Sequence, residues 1–148
     1  MNLNTRQVVM GLLLCTMYAG FTQTASARQC TLADVAGKYG FTSIGSIITP
    51  ALPFAAVGRV TFTEQGTFSG AQRTSIGGNF SDETIEATFT VNPDCTGSAV
   101  VYIYRGSTLA RTTNLLIVWD DHQREARGLF LTLGTAVTIT ARKMFGDD

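Results

Sequence analysis

The sequence predicts an all-β protein: an eight-stranded antiparallel up-and-down barrel entered through one short helical turn, with a two-sheet β-sandwich as the alternative. Three observations predict it. Turns built from Gly, Asn, Asp and Pro recur about every 12 to 15 residues. Between them apolar and polar residues alternate with a period of two, and no stretch carries a 3.6-residue apolar stripe long enough for a helix. Without helical crossovers, successive strands pair as antiparallel hairpins. Eight such strands close into a barrel, which removes the exposed edges; its inside is filled by side chains or holds one small ligand. A sandwich needs longer connections than all but one of these turns provide.

Residues 1–27 stand apart from the fold. Arg6 gives a positive start, Val8 to Phe21 is largely apolar, and Ala25-Ser26-Ala27 has the small-x-small form of a cleavage site, the pattern of a secretory signal peptide. Thr16, Gly20, Thr22, Gln23 and Thr24 interrupt the apolar run before it reaches the roughly 20 residues of a spanning helix. The expected mature protein is residues 28–148, 121 residues forming one domain, exported to the periplasm or the extracellular medium. Arg6 is the one charged residue among residues 1–27, so the mature chain carries ten basic against eleven acidic residues, a net charge near −1. That balance offers no attraction to nucleic acid or to an anionic membrane, and neither is expected as a partner.

Cys30 and Cys95 remain after cleavage, and an even pair in an exported chain is expected to be bridged. A thiolate metal site or a catalytic thiol would need partners that a chain with one histidine does not supply. Thr31-Leu32-Ala33-Asp34 has the form of a capping box, with Gly37 ending the turn. The bridge then staples this turn to the hairpin Asn92-Pro93-Asp94.

The strands follow in order. Lys38 to Ile44 places Tyr39, Phe41 and Ser43 on one face. Ile47 to Phe54 holds Pro50 and Pro53, which argue against a central strand and for an extended apolar loop. Either Leu52 and Phe54 fold back onto the core, or the segment is a lid over a ligand cavity. Ala55 to Thr63 aligns Ala56, Gly58, Val60 and Phe62; Thr67 to Ser75 aligns Phe68, Gly70, Gln72 and Thr74. Thr84 to Val91 sets Ile85, Ala87, Phe89 and Val91 against a wet face of Thr84, Glu86, Thr88 and Thr90. Gly97–Tyr104, Thr112–Trp119, Glu125–Leu133 and Ala136–Arg142 complete the count.

On the outer face, Val100, Tyr102, Leu116, Val118, Leu129 and Leu131 form an apolar strip across three neighbouring strands. The subunit interface of a homo-oligomer is expected to cover it; a mis-phased strand or a turn of the chain over that face is the alternative. Arg59, Arg73, Thr84, Glu86, Thr88 and Thr90 interrupt any continuous apolar band, which argues against an outer-membrane barrel.

Gly37-Lys38-Tyr39-Gly40-Phe41, Phe54-Ala55-Ala56-Val57-Gly58-Arg59-Val60-Thr61-Phe62, Gly66, Gly70 and Val91-Asn92-Pro93-Asp94-Cys95-Thr96-Gly97 together resemble a group of small exported bacterial proteins of uncharacterised function. The likeness covers residues 30–98, and the C-terminal third by pattern. The architecture this implies resembles the allene-oxide-cyclase and dirigent-type barrels, which form oligomers and guide cyclisation or coupling of apolar intermediates. The resemblance implies the barrel and carries over no active-site residue.

No catalytic constellation is legible. His122 lies in a turn and reads as solvated, no Gly-x-Ser-x-Gly elbow is present, and Asp120-Asp121-His122 matches neither a calcium loop nor a zinc spacing. Asp82, Glu83 and Glu86 read as surface charge. No catalytic residue, metal or cofactor is therefore assigned. The candidate ligand-contacting residues are those expected in the lumen, Tyr39, Phe41, Phe62, Phe68, Gln72, Phe89 and Phe130, with Trp119 near a rim. They either fill the barrel or line a pocket with Gln72 as its polar anchor. Three functions stay open: a binding module for a small apolar molecule, a cyclase-like or dirigent-like enzyme, and a structural or interaction protein with a filled lumen. The stapled end is expected to be the closed one.

Overall fold

The computed structural model describes residues 29–144; the expected signal peptide lies outside them. A short helix, α1 (Leu32–Val35), precedes eight strands: β1 (Gly37–Ile47), β2 (Leu52–Phe62), β3 (Thr67–Ile76), β4 (Asn79–Phe89), β5 (Thr96–Arg105), β6 (Thr108–Asp120), β7 (Glu125–Phe130) and β8 (Thr135–Lys143). Each strand pairs antiparallel with the next, and β8 returns to β1 with Tyr39 opposite Lys143 and Ile47 opposite Thr135. The sheet therefore closes into the predicted up-and-down barrel, and closure leaves no unpaired edge to template pairing with another chain.

Burial follows the period of two that the alternating sequence sets. Along β4, Glu83, Ile85, Ala87 and Phe89 are buried while Asp82, Thr84, Glu86 and Thr88 are exposed. The inward side chains of all eight strands make one core: Tyr39 and Phe41 from β1, Val60 and Phe62 from β2, Leu115, Ile117 and Trp119 from β6.

A four-residue helix has no independent stability; α1 is held from outside. Its capping box is complete, with the Thr31 N–H donating to Asp34 Oδ2 at 3.0 Å and the Asp34 N–H donating to Thr31 Oγ1 at 3.3 Å. Val35 is fully buried against the barrel end. Cys30 and Cys95 are joined with their Cα atoms 5.1 Å apart, and the Cys30 N–H donates to the Pro93 carbonyl at 3.1 Å. The β4–β5 turn thus holds the entering chain both covalently and through the backbone.

One expectation is corrected. The stretch from Ile47 to Phe54 is not an extended loop: β1 and β2 form a hairpin turning through residues 48–51, and Pro53 lies within β2 opposite Ser46. A strand residue points its N–H and C=O to the same side, and the Pro53 carbonyl accepts from the Gly77 N–H at 2.9 Å. The missing Pro53 N–H therefore faces the β3–β4 turn, beyond the last β2–β3 pair at Phe54 and Ile76. Proline costs no ladder bond there. Phe54 packs inward with Ala56 and Val137 as a second, smaller cluster that meets the main core at Phe130.

Candidate functional site

The two ends of the barrel differ. At the stapled end, Phe62 centres a cluster of rings, its centroid 5.2 Å from Tyr39, 4.6 Å from Phe68, 5.0 Å from Phe89 and 6.4 Å from Trp119. Gly97 makes this possible, since a Cβ at that position would stand 2.8 Å from the Trp119 ring. Tyr39 is fully buried, and its hydroxyl lies 3.1 Å from the Val35 carbonyl and 2.7 Å from the Gln123 carbonyl. Burial pushes its phenol up to about 12. The β6–β7 turn brings Gln123 over this end with Asp121, His122 and Gln123 all left-handed, at φ 46°, 56° and 62°, and Gln123 Nε2 donates to Cys30 Sγ at 3.1 Å. The stapled end is closed.

Trp119 belongs to that plug. Expected near a rim, it is only 2 % exposed, because β6 continues to Asp120 with the phase that turns Trp119 inward. His122 points outward from the same turn, its side chain 87 % exposed.

Above the plug a cavity of about 50 Å³ remains, with apolar walls that include Phe41, Phe62, Phe68, Val101 and Ile117. A second, of about 110 Å³, lies toward the opposite end beside Phe54, Arg111, Thr113 and Val137. Gln72, Ile103 and Phe130 border both cavities, so these three side chains stand where the two parts of the lumen meet. Ser43 also borders the inner cavity; it is 1 % exposed, and its hydroxyl has no hydrogen-bond partner among the described residues. A buried polar atom without a partner is uncommon, and this one lies on a largely apolar wall whose other polar side chains are Gln72, already donating to Glu83, and Arg127.

At the open end the main group is Glu83, and its reading as surface charge is corrected. Its side chain is 0 % exposed and sits between Arg111 and Arg105. Arg111 Nη1 and Nη2 donate to Oε1 and Oε2 at 2.8 and 2.7 Å, Arg105 Nε donates to Oε1 at 3.0 Å, and Gln72 Nε2 donates to Oε2 at 2.8 Å. Ser81 Oγ adds a fifth contact at 3.2 Å. Gln72, expected either to fill the lumen or to anchor a ligand, finds a protein partner for its Nε2 in Glu83. Burial pushes the Glu83 carboxyl up, but the bonds from Arg111, Gln72 and Arg105 and the Arg111 charge outweigh it and hold it down at about 2. Asp82 and Glu86 do lie on the outer face.

The Glu83 shift carries a pH dependence. A carboxyl depressed from 4.5 to about 2 contributes stability that is fully present above pH 4.5 and is lost as the pH falls toward 2. The contribution is on the order of 3 kcal/mol. Urea midpoints measured across that interval should fall steeply for the native chain and distinctly less for Glu83→Gln; parallel curves would contradict the buried ion cluster.

The expected lumen residues therefore divide. Phe41, Phe62, Phe68, Gln72 and Phe130 border the inner cavity, whereas Tyr39, Phe89 and Trp119 form the plug with Phe62. Neither buried ionisable group, Glu83 at about 2 or Tyr39 at about 12, is tuned to exchange protons near neutral pH. The outer strip is present, with Tyr102, Leu116, Val118, Leu129 and Leu131 all exposed.

Fold and site together define a class: a closed eight-stranded antiparallel barrel, plugged by aromatic rings at a disulfide-stapled end and carrying an ion cluster on one side of the other. Compared with protein-family models, with curated proteins and with solved structures, the chain gives no match.

Proposed function

We propose that this is an exported binding protein that holds a small apolar molecule, carrying one hydrogen-bonding group, in the lumen between the plug and Phe130. The observation that carries the reading is the inner cavity, whose apolar wall holds a single buried hydroxyl, that of Ser43, with no partner among the described residues. Such a mixture of apolar walls and a sparse polar anchor is how small-ligand sites are generally built. The space suits a short alkyl chain or a single ring; anything larger requires Phe130 to swing and merge the two cavities. Entry is from the end opposite the staple, because the rings of Tyr39, Phe62, Phe89 and Trp119 block the other.

Thermal unfolding with 1-hexanol as probe tests this. Ligand at tenfold excess over its dissociation constant stabilises by about 1.4 kcal/mol, on the order of 5 °C for a domain of this size. Phe130→Ala should lower the melting temperature without ligand and extend the stabilising response to longer alcohols. Absence of stabilisation by any alcohol, in the native chain and in Phe130→Ala alike, would remove the reading.

A second reading is favoured by the outer strip on β5, β6 and β7, where Leu116 and Leu129 face each other across the strand pair and are 45 % and 44 % exposed. It makes the protein a homo-oligomer that buries this strip. Sedimentation velocity tests it: Leu116→Ser with Leu129→Ser should convert an oligomer to monomer, and a native monomer at all concentrations would dismiss it.

A further inference from the structure

We propose that the open end of the barrel docks on an anionic lipid surface. Four turns surround that end, and each carries an exposed large apolar side chain in it or next to it: Ile48 at 58 % exposure, Phe80 at 75 %, Leu109 at 49 % and Leu133 at 97 %. The turns themselves, residues 48–51, 77–78, 106–107 and 131–134, contain no charged residue. The three turns at the stapled end are the reverse. Residues 63–66, 90–95 and 121–124 bring Glu64, Asp94, Asp121 and Arg124 to the surface and expose no large apolar side chain. One end is an apolar crown and the other is charged.

Apolar tips in water are unfavourable, and four of them around one opening, against Met144 at the other end, mark a surface that meets something. The form of the set points to lipid. The four side chains stand on separate turns around a central opening, whereas a protein interface buries a continuous, densely packed core. A fluid lipid interface accommodates separate tips, each burying its own apolar area among the acyl chains. The charge agrees. Glu83 is one carboxylate against two guanidiniums, and Arg105, at the brink of the β5–β6 turn, has its side chain 52 % exposed. The other ion pair nearby, Arg73 with Asp82, is neutral. The open end thus carries one net positive charge beside apolar tips, which suits an anionic headgroup layer. The near-zero charge of the whole chain gives no reason to expect a membrane partner; as a sum it conceals this local excess of one guanidinium at the open end.

Docking in this sense does not require an occupied lumen. It also presents the mouth of the lumen to the lipid, a reservoir of apolar molecules.

Co-sedimentation of the exported protein with vesicles tests the proposal, using phosphatidylcholine with phosphatidylglycerol against phosphatidylcholine alone. The native chain should partition to both, about fivefold more strongly to the anionic vesicles, and the difference should shrink in Arg105→Gln and at high salt. Leu133→Ser and Phe80→Ser should each weaken partitioning by about tenfold, with unchanged melting temperatures because both side chains are exposed. Glu64→Gln at the stapled end should partition as the native chain does. A native chain that stays in the supernatant, tip variants that sediment as the native chain does, or a dimer that forms without vesicles and depends on Phe80 and Leu133 would each overturn the proposal. A hexanol response without vesicle binding would leave the lumen reading standing and remove this one.

Discussion

Replacing Cys30 and Cys95 by serine lowers the unfolding free energy by about 4 kcal/mol. The bridge closes a loop between residues 65 apart in sequence, and in the chain-entropy model a loop of that length raises the free energy of the unfolded chain by about that amount. Native domains of this size are stable by only about 5–15 kcal/mol, so the loss is a large fraction of the total. With a urea slope of about 2 kcal/mol per molar, the midpoint falls by about 2 M. The structure adds where the damage begins. Without the bridge, α1 keeps the Cys30–Pro93 backbone bond, its capping box and the bonds that its Val35 and Asp34 carbonyls accept from the Tyr39 hydroxyl and Lys143 Nζ, and loses its covalent tie to the β4–β5 turn. Val35 is then held less firmly against the barrel end, and the Gln123 contact to Cys30 Sγ is lost. A loss below about 1 kcal/mol would mean that the staple does not restrict the unfolded chain.

Phe62→Ala is the second large effect, expected to cost about 3–5 kcal/mol. Phe62 is 6 % exposed and its ring meets those of Tyr39, Phe68, Phe89 and Trp119. Four surrounding rings held by a closed sheet cannot collapse into the space it leaves, which puts the cost at the upper part of that range. The variant also joins the plug to the inner cavity that Phe62 borders, so it should bind 1-hexanol more tightly than the native chain while being less stable without it. Calorimetric unfolding with and without the alcohol reads both quantities. A cost under 2 kcal/mol would show that the plug repacks and that the stapled end is softer than its geometry.

The strand phases were legible because a barrel forces one face of every strand inward. Ile85, Ala87 and Phe89 announce their face, and the same phase, carried two residues back, places Glu83 inside. The strand expected from Thr84 begins at Asn79, so Glu83 lies within it and not at its solvated start. What makes this carboxylate tolerable inside is two arginines, 22 and 28 residues further along the chain, which the successive pairing of β4 with β5 and of β5 with β6 brings to it. Pro53 misled for a related reason: whether a proline is costly depends on which neighbour its nitrogen faces, and that is a property of register. Trp119 was legible as an inward residue but not as part of a plug, because its position rests on Gly97 leaving room from the adjacent strand. The lumen volume, and the contrast between an apolar and a charged end, emerge only when turns far apart in sequence are gathered on common rims.

The measurement that bears most directly on the lumen is a methyl-resolved NMR titration of residues 28–148 with 1-hexanol. Saturable shifts should appear at Ile103, Ile117 and Ile139, whose side chains border the inner cavity, while Leu116, Val118 and Leu129 on the outer strip stay fixed. Shifts confined to the outer strip, with the three isoleucines unmoved, would contradict a ligand-holding lumen.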